Sequence, residues 1–190
     1  EVYSLMKNEI YVGIFMPLVI LSIIEKEKEV KLPPLFKKLL IIEDTLDINN
    51  ELMNRSNNNL FDLDKLLKKY SPDAIRLYFL SKPAKSFVFD IAELEEMNNL
   101  LLNIEQYYSN NFTVDNSIQN KFDHYLKECD QLIKDKEVNL YVNKVIEMFN
   151  EVLLNVIPTY DQALLFLKLL YPIMPFMADD INKEIFKSKY

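Results

Sequence analysis

A chain of 190 residues, 49% of them apolar and 27% charged, has enough sequence for one good core or two small domains. Its net charge of −7 argues against a protein that coats nucleic acid nonspecifically, although a shaped RNA site with a local basic patch stays open. The one glycine, Gly13, stands where average usage of about 7% predicts roughly thirteen, and neither a Walker loop nor a Rossmann fingerprint is present.

The single cysteine, Cys129, has no internal disulfide partner, which fits a reducing cytoplasm. With one histidine, His124, it makes no metal-ligand cluster, so no metal is expected.

In chain order, the first feature is the apolar run from Ile10 to Ile24. It spans fifteen residues, short of the roughly twenty a bilayer needs, and Pro17 and Ser22 interrupt it. No small-residue cleavage site follows; the chain passes straight into Glu25-Lys26-Glu27-Lys28-Glu29. The pattern predicts a buried strand over Glu9 to Phe15 and a helix opened by Pro17 and ending near Lys28, with no membrane span. Leu32-Pro33-Pro34 is a break. Leu35 to Glu43 is a short apolar segment carrying Lys37 and Lys38, and residues 44–61, with Asn57-Asn58-Asn59 in a row, read as loop.

From Asp62 onward the sequence reads as helix. Asp62 is placed to cap a short helix through Tyr70. Ser71-Pro72-Asp73 is a restart signal: a capping hydroxyl, a proline at the first helical position, then an acid against the positive end of the dipole. That helix ends near Lys82-Pro83. Asp90 caps the next, with Ile91, Leu94, Met97, Leu101, Ile104 and Tyr108 at helical spacing. After a polar link beginning at Ser109, Ile118, Phe122, Tyr125, Cys129 and Leu132 form a third stripe, and Val138, Val142, Val145, Phe149 and Val152 a fourth. A fifth helix, about Tyr160 to Leu170, is apolar nearly all round and is expected to be central. Pro172 and Pro175 break it, and a last helix runs from Phe176 to about Phe186. The expected class is mainly α: a helical bundle over 62–190, preceded by a small α/β segment over 1–61.

Several of these stretches carry a family resemblance. Leu52-Met53-Asn54-Arg55-Ser56, followed by Leu60-Phe61 and by Lys69-Tyr70-Ser71-Pro72-Asp73, resembles the second signature loop of class I aminoacyl-tRNA synthetases, Lys-Met-Ser-Lys-Ser, and the turn after it. Asp73 to Tyr78 looks like the helix that follows. The leucyl type fits best. Leu35 to Leu40 looks like its Pro-Phe-Lys-Lys-Leu-Leu segment, and Tyr11-Val12-Gly13 like the start of its Tyr-Ile-Gly-Gly strand. Val138-Asn139 with Val142 and Asn150 is similar to a bundle-helix pattern, and Pro172 to Ile181 to the closing Pro-x-x-Pro motif. The likeness implies that 1–61 is a remnant of the catalytic domain and 62–190 resembles the anticodon-binding domain.

The resemblance also marks what has changed. The family's lysines stabilise the triphosphate as adenylate forms; here the first is Leu52 and the second Arg55, a cation without the compact ammonium. The first serine is Asn54 and the following glycine Asn58. The family's Gly-Gly-x-Glu-His falls on Gly13-Ile14-Phe15-Met16-Pro17, a downstream histidine on Leu21, and its His-Ile-Gly-His signature appears nowhere. No catalytic residue is expected in this chain. ATP, the parent family's nucleotide, is not expected as a cofactor, and no amino-acid activation is expected of the chain alone.

What the resemblance leaves is a tRNA-docking scaffold. Candidate phosphate contacts are Lys37, Lys38, Arg55, Lys65, Lys68, Lys69, Arg76, Lys82 and Lys85. They sit among acids, as an ordinary solvated surface does. Tyr107-Tyr108 offers rings for stacking on bases, yet Tyr108 also belongs to a core stripe. Three readings remain open. The chain binds tRNA or another partner without catalysis; it is part of a split or larger synthetase whose nucleotide site lies on another segment; or it is a protein-interaction scaffold that has lost RNA binding.

Overall fold

The computed structural model describes residues 2–6, 14–31, 38–42, 44–109, 112–115 and 117–187. They form two compact units, Glu1–Leu60 with Pro83–Phe89, and Phe61–Lys82 with Asp90–Tyr190.

In the first unit, β1 (Val2–Met6) and β2 (Lys38–Ile42) pair in parallel, Val2 opposite Lys38 and Met6 opposite Ile42. Between them in sequence runs α1 (Met16–Lys28), with Pro17 in its first turn. Parallel strands need such a crossover. Ile14 and Phe15, expected in a strand, are already helical; the preset φ of Pro17 favours a helical entry there. The rest of that expected strand, Glu9 to Gly13, lies outside the described residues, as do the break at 32–34 and residues 35–37. The expected burial of the run is corrected for its helix: no residue of α1 is buried, and Phe15 and Ile23 are 56% and 55% exposed.

Residues 44–61 are not wholly loop. β3 (Thr45–Leu46) pairs in parallel with β4 (Phe87–Val88), and Phe89 N–H donates to Leu46 O at 2.8 Å. The partner strand arrives from the far side of two helices, so local sequence around Thr45 carries no sign of it.

The second unit is helical, and its caps explain where helices begin. α2 (Leu63–Lys69) starts at Asp62, whose carboxylate accepts the Lys65 N–H. α3 (Pro72–Ser81) starts at Ser71, whose hydroxyl accepts the Ala74 N–H, and α4 (Ile91–Tyr108) at Asp90, which accepts from Ala92. There follow α5 (Gln119–Asp135), α6 (Val138–Met148) continued by a π-helical turn at Phe149–Leu153, α7 (Tyr160–Leu170), and α8 (Pro175–Ile181) continued by a second π-helical turn at Asn182–Phe186. A capping box between Thr159 and Gln162 opens α7.

The sequence stripes face one core. Leu101, Ile104 and Tyr108 of α4, Phe122 and Cys129 of α5, and Val142, Val145 and Phe149 along α6 meet Phe166, Leu167 and Leu170 of α7. Ile91 and Val138, the first residues of their helices, stay exposed. The fold is mainly helical, with small parallel strand pairs.

One long-range clamp ties α3 to the start of α8. Asp73 does more than sit at the positive end of its own helix: its buried Oδ2 accepts the Met177 N–H at 2.7 Å, capping α8 from another element. One turn further, Arg76 donates from Nε to Ile173 O (3.2 Å) and from Nη2 to Pro172 O (3.3 Å). The α8 N-terminus has no side-chain cap of its own, so this carboxylate satisfies a donor that would otherwise be orphaned.

Candidate functional site

The segment Leu52–Ser56 lies in a turn held by amide side chains. Asp47 Oδ1 accepts the N–H groups of Asn49 and Glu51, both at 2.9 Å. Asn59 Nδ2 donates to Asp47 Oδ2 (2.8 Å) and to Leu52 O (3.2 Å), and Asn57 Nδ2 also donates to Leu52 O (2.8 Å). Asn54 N–H donates to Asn59 Oδ1 at 3.0 Å, and Asn57 N–H to Asn54 Oδ1 at 2.7 Å. Asn58 takes φ 59°, the left-handed conformation that asparagine tolerates better than most residues. The amide of Asn59, then the backbone at Glu51, hold the Asp47 carboxyl below the usual carboxylate range.

Within this turn Leu52 bridges to Leu46 across an antiparallel contact. Leu52, Met53 and Asn54 are half-buried, while Arg55 and Ser56 are exposed. The chemistry available is therefore one outward cation, Arg55, on a well-braced turn. The bracing itself was not anticipated from sequence. The Asp47-x-Asn49-x-Glu51 spacing and the asparagine run were its only signal, because such side chains replace backbone partners in turns.

The candidate cations fall into distinct settings. Lys37 lies outside the described residues, and Lys38 opens β2. Arg55 and Lys85 are exposed residues of the first unit. Lys65, Lys68 and Lys69 share α2, where Lys65 pairs with Asp62 (3.5 Å) and Lys69 with Glu95 (3.2 Å). Lys68 is exposed. Lys69 Nζ lies 4.9 Å from the centre of the Tyr70 ring, and its neighbours, Tyr70 first and then Glu95, raise its pKa. Arg76 is the clamp to the α7–α8 turn. Lys82 is ion-paired with Glu93 and lies 4.5 Å from the centre of the Tyr78 ring. The Tyr78 hydroxyl accepts the Asp90 N–H at 2.9 Å, and burial pushes its pKa up to about 12.

Tyr107 and Tyr108 are buried. Tyr108 donates to Ala163 O at 2.9 Å, and Tyr107 packs edge-on against Phe149 at 5.7 Å. Neither ring is presented for base stacking.

A charged network on α5 and α6 was not singled out from sequence. Lys144 pairs with Glu147 (2.9 Å) and Glu128 (3.4 Å), and the Tyr125 hydroxyl sits 3.0 Å from both Glu147 and Glu151. The Glu147 pKa is lowered, by Lys144 first and by Tyr125 next. The four-residue spacing of Glu147 and Glu151 was visible, but the facing Tyr125 comes from another helix.

With this geometry in place, comparison with known proteins gives a consistent class. Leucine–tRNA ligase of Malacoplasma penetrans (strain HF-2) is 22% identical, over 82% of this chain and 20% of that protein. The solved ternary complex of Agrobacterium radiobacter K84 agnB2 LeuRS with tRNA and LeuAMS superposes with a TM-score of 0.78 at 14% identity, covering 95% of this chain and 26% of that one. No family model matches the chain. The fold is thus that of a segment of an aminoacyl-tRNA synthetase. The similarity is to leucyl-tRNA synthetase in particular; it is distant, extends over most of this chain, and spans only about a fifth to a quarter of the proteins matched.

Proposed function

We propose that this chain is a leucyl-tRNA synthetase-like segment that does not activate an amino acid alone and retains a tRNA-binding-type helical scaffold in a reducing cytoplasm. In this reading residues 1–61 derive from the catalytic domain with its signature loop, and 62–190 from the anticodon-binding-like bundle. The observation that carries it is the pairing of a fold match over 95% of the chain with a loop whose one cation is Arg55. A site that stabilises a triphosphate needs several positioned charges, and Leu52 and Asn54 supply none. Leucine-dependent pyrophosphate exchange by the purified chain should not exceed a blank; exchange above blank refutes the reading. Total tRNA should bind with affinity falling steeply as salt rises, through Arg55, Lys68 and Lys85 among others. No retention even at low salt would instead favour a protein-interaction scaffold.

A second reading has its own support. α1 is apolar along Leu18, Val19, Ile20, Ile23 and Ile24, and all five are exposed. Contiguous apolar surface of this kind marks an interaction site, as expected if the chain works as part of a split or larger synthetase. Pyrophosphate exchange that appears only when a nucleotide-binding segment is added would select this reading.

A further inference from the structure

α3, the C-terminal end of α5, the start of α6 and the Pro172–Ile173 turn enclose a groove of about 390 Å3, near the small end of the roughly 300–1,000 Å3 typical of ligand pockets. That is room for one or two side chains. Its lining is apolar, with Leu80, Leu132, Ile133, Val138, Val142 and Ile173, and two cations stand at it, Arg76 and Lys136. Among the described residues that line it none is acidic, although the whole chain carries −7.

Arg76 is held by backbone carbonyls, and Lys136 projects from a backbone turn fixed by hydrogen bonds. Arg76 is oriented by its two bonds to the carbonyls of Ile173 and Pro172, and the remaining N–H groups of its five-donor fork are available to an acceptor. Lys136 is the residue just past α5. It adopts φ 63°, its N–H donates to Ile133 O (3.1 Å), and the Glu137 N–H donates to Leu132 O (3.0 Å). That closure normally favours glycine, and a residue with a Cβ bears a conformational cost there. Lys136 makes no ion pair among the described residues.

We propose that this groove docks an acidic peptide segment of a partner protein, one large apolar side chain entering the groove and flanking carboxylates meeting Lys136 and Arg76. The apolar lining favours a side chain over a nucleobase, whose edge polar groups would be left unpaired there. The local positive sign selects carboxylates on either side of the anchor.

The test is fluorescence anisotropy of the full chain with a labelled synthetic peptide carrying one central phenylalanine among glutamates. Saturable binding is expected, and alanine in place of the phenylalanine should weaken it tenfold or more. Lys136→Gly removes the cation while suiting the left-handed turn, so it should fold at least as well yet bind roughly three- to fivefold more weakly, the range of an exposed ion pair. Lys136→Glu should weaken binding further, and Ile133→Asp should abolish it. Absence of saturable binding, equal affinity for the alanine peptide, or unchanged affinity in Lys136→Glu overturns the proposal. So does displacement of the peptide by total tRNA with tRNA protecting Lys136 from acylation, which would assign the groove to nucleic acid.

Discussion

α1 and α6 are helices of similar length, 13 and 11 residues, both rich in aliphatic side chains. In one no residue is fully buried, Pro17, Leu21 and Glu25 being half-buried; the other buries Tyr141, Val142, Val145 and Met148. The difference lies in arrangement rather than apolar content. In α6 Tyr141, Val142, Val145 and Met148 recur at helical spacing on one face, so a single docking covers them, while Val138 and Leu140 stay exposed. In α1 they run consecutively round the helix, and one packing surface cannot cover them all. Among the described residues, the first unit is joined by short strand pairs and an amide-braced turn, the second by a continuous aromatic and aliphatic core.

The largest expected break in this contrast comes from the core. Phe166 is fully buried and stacks on Phe149 with ring centres 5.9 Å apart, so Phe166→Ala should cost about 3–5 kcal/mol in urea unfolding followed by circular dichroism. A cost under about 1 kcal/mol would mean the bundle is loosely packed.

The clamp between α3 and α8 is next. Asp73→Ala leaves the Met177 N–H without its acceptor and should cost about 2–3 kcal/mol, whereas Asp73→Asn keeps an acceptor and should lose much less. Burial raises the Asp73 pKa above the ordinary carboxylate value, more than the N–H bonds from Met177 and Phe176 and the charge of Arg76 lower it. The folded state then holds this proton more tightly than the unfolded one. Stability from that proton is complete below the ordinary carboxylate pKa and is lost as pH rises through the raised value. This part of the pH profile should vanish in Asp73→Asn.

Cys129 gives a finer probe of the same core. It is fully buried, and burial first of all pushes its thiol pKa up to about 11, with Lys144 pulling the other way. A thiol reagent at neutral pH should find it silent in the folded chain and reactive on unfolding. The linked stability is complete below the ordinary thiol pKa and is lost as pH rises toward about 11. Rapid labelling of the native chain would show that the α5–α6 seam opens readily.

The smallest effect is expected on α1. Ile20→Ser or Ile23→Ser should change unfolding of the second unit by no more than about 0.5 kcal/mol, while reducing self-association in light scattering. A larger loss of stability would show that these side chains are covered in the folded chain.

Much of the bundle was legible because its signals are local. Asp62, Ser71-Pro72 and Asp90 each begin a helix through side chains only a few residues from the N–H groups they satisfy. The stripes through Leu101, Phe122 and Val142 state which face is buried before its partner is known. The candidate site was legible only as a set of residue types. Nothing near Arg76 in sequence tells that it would reach the carbonyls of Pro172 and Ile173, or near Lys82 that it would settle over Tyr78 beside Glu93.

The sequence by itself determined the helix starts at Asp62, Ser71 and Asp90 and the buried helix faces, since each depends on neighbours within a turn or two. Tertiary structure alone decided that Asp73 caps α8, that β3 pairs with β4, and that Leu18, Val19, Ile20, Ile23 and Ile24 of α1 are exposed. Those outcomes depend on which distant backbone donors and apolar faces come within reach, and spacing along the chain does not encode that.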